Sequence, residues 1–248
     1  MIRMESRNPV FGKKMFDRAR EDLIGSGSMS LGGTVHKTFV LLLLLIGGAA
    51  YTWYRFDQGQ DVYGIMMAGV ILGLIAALIT SFVPKVAFIT APLYAIFEGL
   101  ALGAISAAFD QQYPGIALNA VLITVGTLFA MLLLYVTRIV KVTPGFRTGI
   151  IMATLSIMLV YLFDFVLGFF GVNVPFIHES GLIGIGISLF VVVIAALNLL
   201  LDFDFIEQGT RAGAPKFMEW YGAFGLMVTL VWLYLEVLKL LSKFAKRD

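Results

Sequence analysis

Leu197–Gly209 reads LNLLLDFDFIEQG, the end of an apolar run that begins near Ile183 and delivers three carboxylates, Asp202, Asp204 and Glu207, in quick succession. An acid in a membrane-spanning helix costs roughly 2.5–3.5 kcal/mol at mid-depth and less towards the interface. Such a juxtaposition therefore marks either a helix end in the headgroup layer or a working site. A second acid, Glu236, lies inside the last apolar run, LVWLYLEVLKLL (Leu230–Leu241).

The composition decides the class. The 248 residues are 59% hydrophobic and 14% charged, with a mean hydropathy of +0.91, which describes an integral membrane protein. Seven apolar runs follow one another, at about Phe39–Tyr54, Val62–Val83, Val86–Phe109, Ile116–Val136, Thr148–Gly171, Ile183–Leu201 and Tyr221–Leu241. Most reach the ~20 residues that a helix needs to cross hydrocarbon. They lack the alternation of a membrane barrel, so the expectation is an all-α bundle of seven transmembrane helices. Short breaks such as Pro84-Lys85 predict that consecutive helices are antiparallel neighbours.

Met1–Lys37 carries seven basic and four acidic residues and thins into GSGSMSLGG. It reads as a flexible basic cytoplasmic tail, with a short amphipathic helix over Phe11–Leu23 as the alternative, followed by a membrane domain over residues 38–248. Basic residues cluster in the tail, at Lys85, at Arg138, Lys141 and Arg147, and at Arg211 and Lys216, which by the positive-inside rule places the N-terminus in the cytoplasm. The C-terminal Lys239, Lys243, Lys246 and Arg247 break that pattern, so the last run either crosses or enters and returns. GxxxG pairs at Gly69/Gly73 and Gly99/Gly103 mark close helix packing, within the chain or between copies.

With no cysteine and only two histidines, His36 and His178, neither thiolate chemistry nor a histidine-rich zinc site is available. No HExxH stands in the chain, and Asp164 in YLFDFVLGFFG has no GxGD partner. Zinc and aspartyl intramembrane proteases are thereby disfavoured, and no enzymatic activity or cofactor is expected.

Asp202 and Asp204 point about 200° apart on a helix, so only one of them faces a given partner. Asn198, four residues earlier, shares the face of Asp202, while Asp204 is expected at the interface near Glu207 and Arg211. Glu236 has Lys239 three residues on, which leaves two readings open. It forms a local ion pair near the surface, or it faces Asp202. Two carboxylates held together in a low-dielectric site share a proton; when both ionise, they offer hard oxygens to a divalent cation such as Ca²⁺. Glu98, mid-way along the third run, and Asp164 complete the candidates for a cation path, with Asn198 and Asp204.

At these residues the sequence resembles the Bax inhibitor (transmembrane Bax-inhibitor-motif) family, in its bacterial, YccA-like branch. LLLDFDFIEQG followed by LVWLYLEVLKLL is similar to the family's two closing helices. RNPVF, GGTVHKT, PLYAIFEGLALGAISAAFD and LLLYVTRIVKVTPGF fit in order over nearly the whole chain. The resemblance implies a seven-helix bundle with the last helix central. It also implies a Ca²⁺ leak controlled by protonation of a carboxylate pair, here Asp202 (in DF-x-x-I) and Glu236, which stands in LYLE where the family usually has LYLD. The expected function is thus a pH-sensitive cation (Ca²⁺) leak in the bacterial plasma membrane, with lipid, Ca²⁺ and protons as partners and no nucleic acid. The alternative is a non-transporting membrane protein that binds a protease or another membrane partner.

Overall fold

The computed structural model describes residues 27–171, 179 and 181–246. The RNPVF motif, the segment Phe11–Leu23 and His178 lie outside the described residues. Among those described, seven helices are long and apolar enough to cross a membrane. They are α1 (Leu31–Asp57), α2 (Tyr63–Phe82), α3 (Ala87–Gln112), α4 (Ile116–Val136), α5 (Pro144–Gly168), α6 (Leu182–Arg211) and α7 (Met218–Ala245). A single 3₁₀ turn at Pro84–Val86 joins α2 to α3. The outer surface is apolar, with Phe82 81% and Phe170 77% exposed, as expected of helices that face lipid rather than water.

The first helix starts well before the apolar run that announced it. Ser30 caps α1, its hydroxyl accepting from the Gly33 backbone N–H at 3.0 Å, which satisfies one of the donors a helix start leaves open. Residues 31–37, assigned to the tail from sequence, are therefore helical. The Gly-Ser stretch just before them does not simply link. Met29 N–H donates to Ala214 O at 2.7 Å and Lys216 N–H to Gly27 O at 3.1 Å, so residues 27–29 run antiparallel to the α6–α7 connection. Met29 is buried with its sulfur over Gly209.

Consecutive helices are not always neighbours. α3 inserts between α1 and α2, while no substantial packing joins α1 to α2 or α4 to α5. Glycines explain the insertion. A methyl group at Gly99 would fall on the Leu45 carbonyl, one at Gly103 on the Ala49 carbonyl, and one at Gly69 would stand 2.6 Å from Phe97 O. Both GxxxG pairs are thus used inside the chain, with backbones brought together by dispersion contacts.

α7 is central. It packs on α1, α3, α4 and α6, and Ala223, Met227, Leu233 and Val237 are almost wholly buried. α2 leans on α3 and α5 on α6, which places these two helices at the periphery. α7 runs unbroken for 28 residues, about 42 Å at 1.5 Å per residue. A returning segment needs a break, and the helix has none, so α7 has the length and continuity of a crossing helix.

Two predictions follow from this packing. The chain has no native cysteine, so single cysteines report sidedness cleanly: Lys141→Cys and Ala212→Cys label from one side of the membrane, Asp110→Cys and Lys246→Cys from the other. Labelling of Lys246→Cys together with Ala212→Cys contradicts a crossing α7. Gly99→Ala overpacks the α1–α3 seam and lowers stability by about 1–3 kcal/mol. Gly126→Ala, where nothing lies within 4 Å, is neutral or slightly stabilising. Thermal melts in detergent separate the two.

Candidate functional site: carboxylates around the central helix

Because α7 is enclosed, any acid on it or against it must be matched by a neighbour. Three carboxylates meet that condition, at three levels. Glu219 is fully buried in the first turn of α7. Its Oε1 accepts from the Ser30 backbone N–H and hydroxyl, both at 2.9 Å, and its Oε2 pairs with Lys37 of α1. Lys37 also lies 5.5 Å from the centroid of the Trp220 ring. A methyl group at Gly33 would overlap the Glu219 carboxylate, so the glycine makes room for the lock.

Asp202 of α6 meets α7 higher up, beside Thr229 and about 4 Å from the space over Gly225. Its Oδ2 is buried and has no hydrogen-bond partner among the described residues. Glu236 is 1% exposed; Tyr161 of α5 donates its hydroxyl to Oε2 at 3.0 Å, and Lys239 donates to Oε1 at 3.1 Å. The Lys239 ammonium also sits 4.8 Å over the Tyr161 ring. The local Glu–Lys pair is therefore present, yet its acid is buried in the bundle.

The structure does not bring Asp202 and Glu236 into one site. Glu236 is seven residues beyond Thr229, about 10 Å along the helix axis, and neither acid bonds the other. The two acids lie at different levels of α7, Asp202 of α6 beside Thr229 and Glu236 bonded to Tyr161 of α5. Leu199 of α6 and Leu230 and Leu233 of α7 belong to one buried apolar cluster. Nor do three His, Asp or Glu side chains gather into a metal-holding group among the described residues.

The remaining candidates disperse. Asn198 donates to Thr154 of α5 and to the Ile194 carbonyl, both at 2.8 Å, so it faces α5 rather than sharing the partner of Asp202. Asp204 pairs with Arg147 of α5 and accepts from Gln208 at 2.7 Å; the divergence of Asp202 and Asp204 follows from the helical period. Glu207 is shared by Arg211, Arg138 (3.6 Å) and the Tyr135 hydroxyl. Glu98 lies at the α2–α3 seam, where Oε2 would be 3.0 Å from a methyl group at Gly73. Asp164 is half-buried one turn from Tyr161 on α5.

Sequence reasoning missed Glu219, Lys37 and Tyr161. The signal for the first two was topological: α1 and α7 both start at the same end of an odd-numbered bundle, one with a lysine in its second turn and the other with a glutamate in its first.

The fold and these buried acids define a polytopic all-helical membrane protein with a polar central helix. The family model described as Bax inhibitor 1 like matches residues 8–246, and the chain belongs to that family. No curated protein and no solved structure matches it.

The Glu219 lock yields its own prediction. Lys37→Met strands a buried carboxylate and lowers stability by roughly 3 kcal/mol, while Lys37→Met combined with Glu219→Gln recovers part of the loss. A double variant as unstable as the sum of its parts argues against the pair.

Proposed function

We propose that the protein is a pH-responsive cation leak, with Ca²⁺ as the favoured ion, that works along the α6–α7 interface and uses Asp202 and Glu236 as two successive stations. The observation that carries this reading is the buried Oδ2 of Asp202, which faces α7 without a hydrogen-bond partner among the described residues, about two turns below a second enclosed carboxylate on α7. A neutral carboxyl is tolerated in a dry bundle, whereas a carboxylate there calls for a counter-charge. Ionised Asp202 therefore either draws in a cation or drives α6 and α7 apart. Protonation removes both tendencies and lets the apolar layer of Leu199, Leu230 and Leu233 close. Pores use such apolar constrictions as gates, and ions move more readily between several weak sites than out of one tight site.

The sign follows directly. Proton uptake removes the attracting charge, so flux falls as pH is lowered. The same reading places the N-terminus in the cytoplasm of a bacterial cell and assigns no catalytic role to any residue. Glu236 is one methylene longer than the aspartate usual in the family, and its ties to Tyr161 and Lys239 hold it at its own level.

Purified protein in liposomes with an enclosed calcium indicator tests this. Flux declines several-fold between about pH 8 and about pH 6, the range in which enclosed carboxylates as a class take up protons. Asp202→Asn and Glu236→Gln each flatten the response, and Asp204→Asn, tied to Arg147, titrates like the parent. Loss of the response in Asp204→Asn alone reassigns the acid. Purified protein that passes no ion at any pH supports the non-transporting, partner-binding reading instead.

A further inference from the structure

The glycine contacts that draw α1 onto α3 leave α1 and α4 apart, with no substantial packing between them. The fissure is a cavity of about 580 Å³, within the range of sites that hold a single extended ligand. Val35 and Phe39 of α1 and Phe129 and Leu132 of α4 form its walls, with Ile206 and Leu226 as its floor. Val35, Phe39 and Phe129 are each more than half exposed, so the cavity opens sideways towards lipid.

At the end of the bundle where α1 begins, this apolar chamber meets a second, polar one of about 210 Å³, and the two share Tyr135, Arg138 and Glu207. The polar chamber is also lined by Lys141, Arg211 and Asp204. Arg147 pairs with Asp204, and Arg138 and Arg211 both lean on Glu207. Four cations thus face two carboxylates, a positive surplus at the depth where α4 ends. Arg138 stands there in the left-handed conformation, at φ 57°, with its side chain 64% exposed.

We infer that this fissure is a binding site for one anionic phospholipid, an acyl chain in the apolar chamber and the headgroup phosphate on Arg138 and Lys141. The ligand class follows from the joined chambers: one requires a long hydrocarbon, the other an anion held at the interface. Basic pockets between transmembrane helices bind anionic headgroups in this way, and a guanidinium offers phosphate a paired set of donors. The site lies on the α1–α4–α6 side and does not depend on the leak.

Native mass spectrometry of the full chain, delipidated and then offered phosphatidylglycerol or phosphatidylcholine of identical chains, tests the assignment. The parent retains phosphatidylglycerol about thirty-fold better, the effect expected of two interfacial cations at about 1 kcal/mol each. Arg138→Gln with Lys141→Gln brings that ratio close to one while phosphatidylcholine retention persists. Leu132→Trp, which fills the apolar chamber, lowers retention of both lipids. Equal retention of the two lipids by the parent overturns the proposal, as does a preference that survives the double substitution. So does a free fatty acid held as well as phosphatidylglycerol, since the phosphate would then contribute nothing.

Discussion

A carboxylate enclosed by transmembrane helices has no water to solvate it, and this constraint organises the bundle. Hydrophobic association between helices is weak in a bilayer, because lipid tails are as apolar as leucine. What fixes the helices is close backbone packing at glycine and the matching of buried polar groups. Glu219 binds Ser30 and Lys37 and so fastens the start of α1 to the start of α7. Glu236 takes a hydrogen bond from Tyr161 and recruits peripheral α5. Of these three acids, Asp202 keeps a buried oxygen without a hydrogen-bond partner among the described residues, which sets it apart from the other two.

The basic residues at the far end of α7 fit the same logic. They seemed to oppose a crossing helix, since positive charge favours the other side. Two of them are absorbed by the protein: Lys239 pairs with Glu236, and Lys243 donates to the Gly184 carbonyl at 3.0 Å.

Much of the fold was legible in the sequence because a run of about twenty apolar residues has few alternatives to a spanning helix. Helix starts were not. Leu31–Lys37 and Met218–Trp220 carry glycine, lysine and glutamate, and they join their helices where Ser30 caps α1 and Lys37 and Glu219 pair across the bundle. Neighbour relations were also hidden, since short loops fix direction but not contact, and Gly99 and Gly103 place α3 where α2 was expected. The opposite faces of Asp202 and Asp204 were readable from the helical period. The separation of Asp202 from Glu236 could have been counted: Asp202 lies 13 residues before Pro215 and Glu236 lies 21 after it. In an antiparallel pair that mismatch of eight residues is about 12 Å. The family resemblance, carried by motif order, named the two acids without fixing their register.

Acids held at separate levels of α7, as Asp202 and Glu236 are, do not share a proton. A double-mutant cycle of Asp202→Asn and Glu236→Gln, read as unfolding stability in detergent at high and low pH, tests it most directly. Sites about 10 Å apart without shared partners are expected to add within about 0.3–0.5 kcal/mol, so the two substitutions add at both pH values. A coupling above about 1 kcal/mol that appears at one pH and vanishes at the other would mean that the two acids share a proton, and would contradict it.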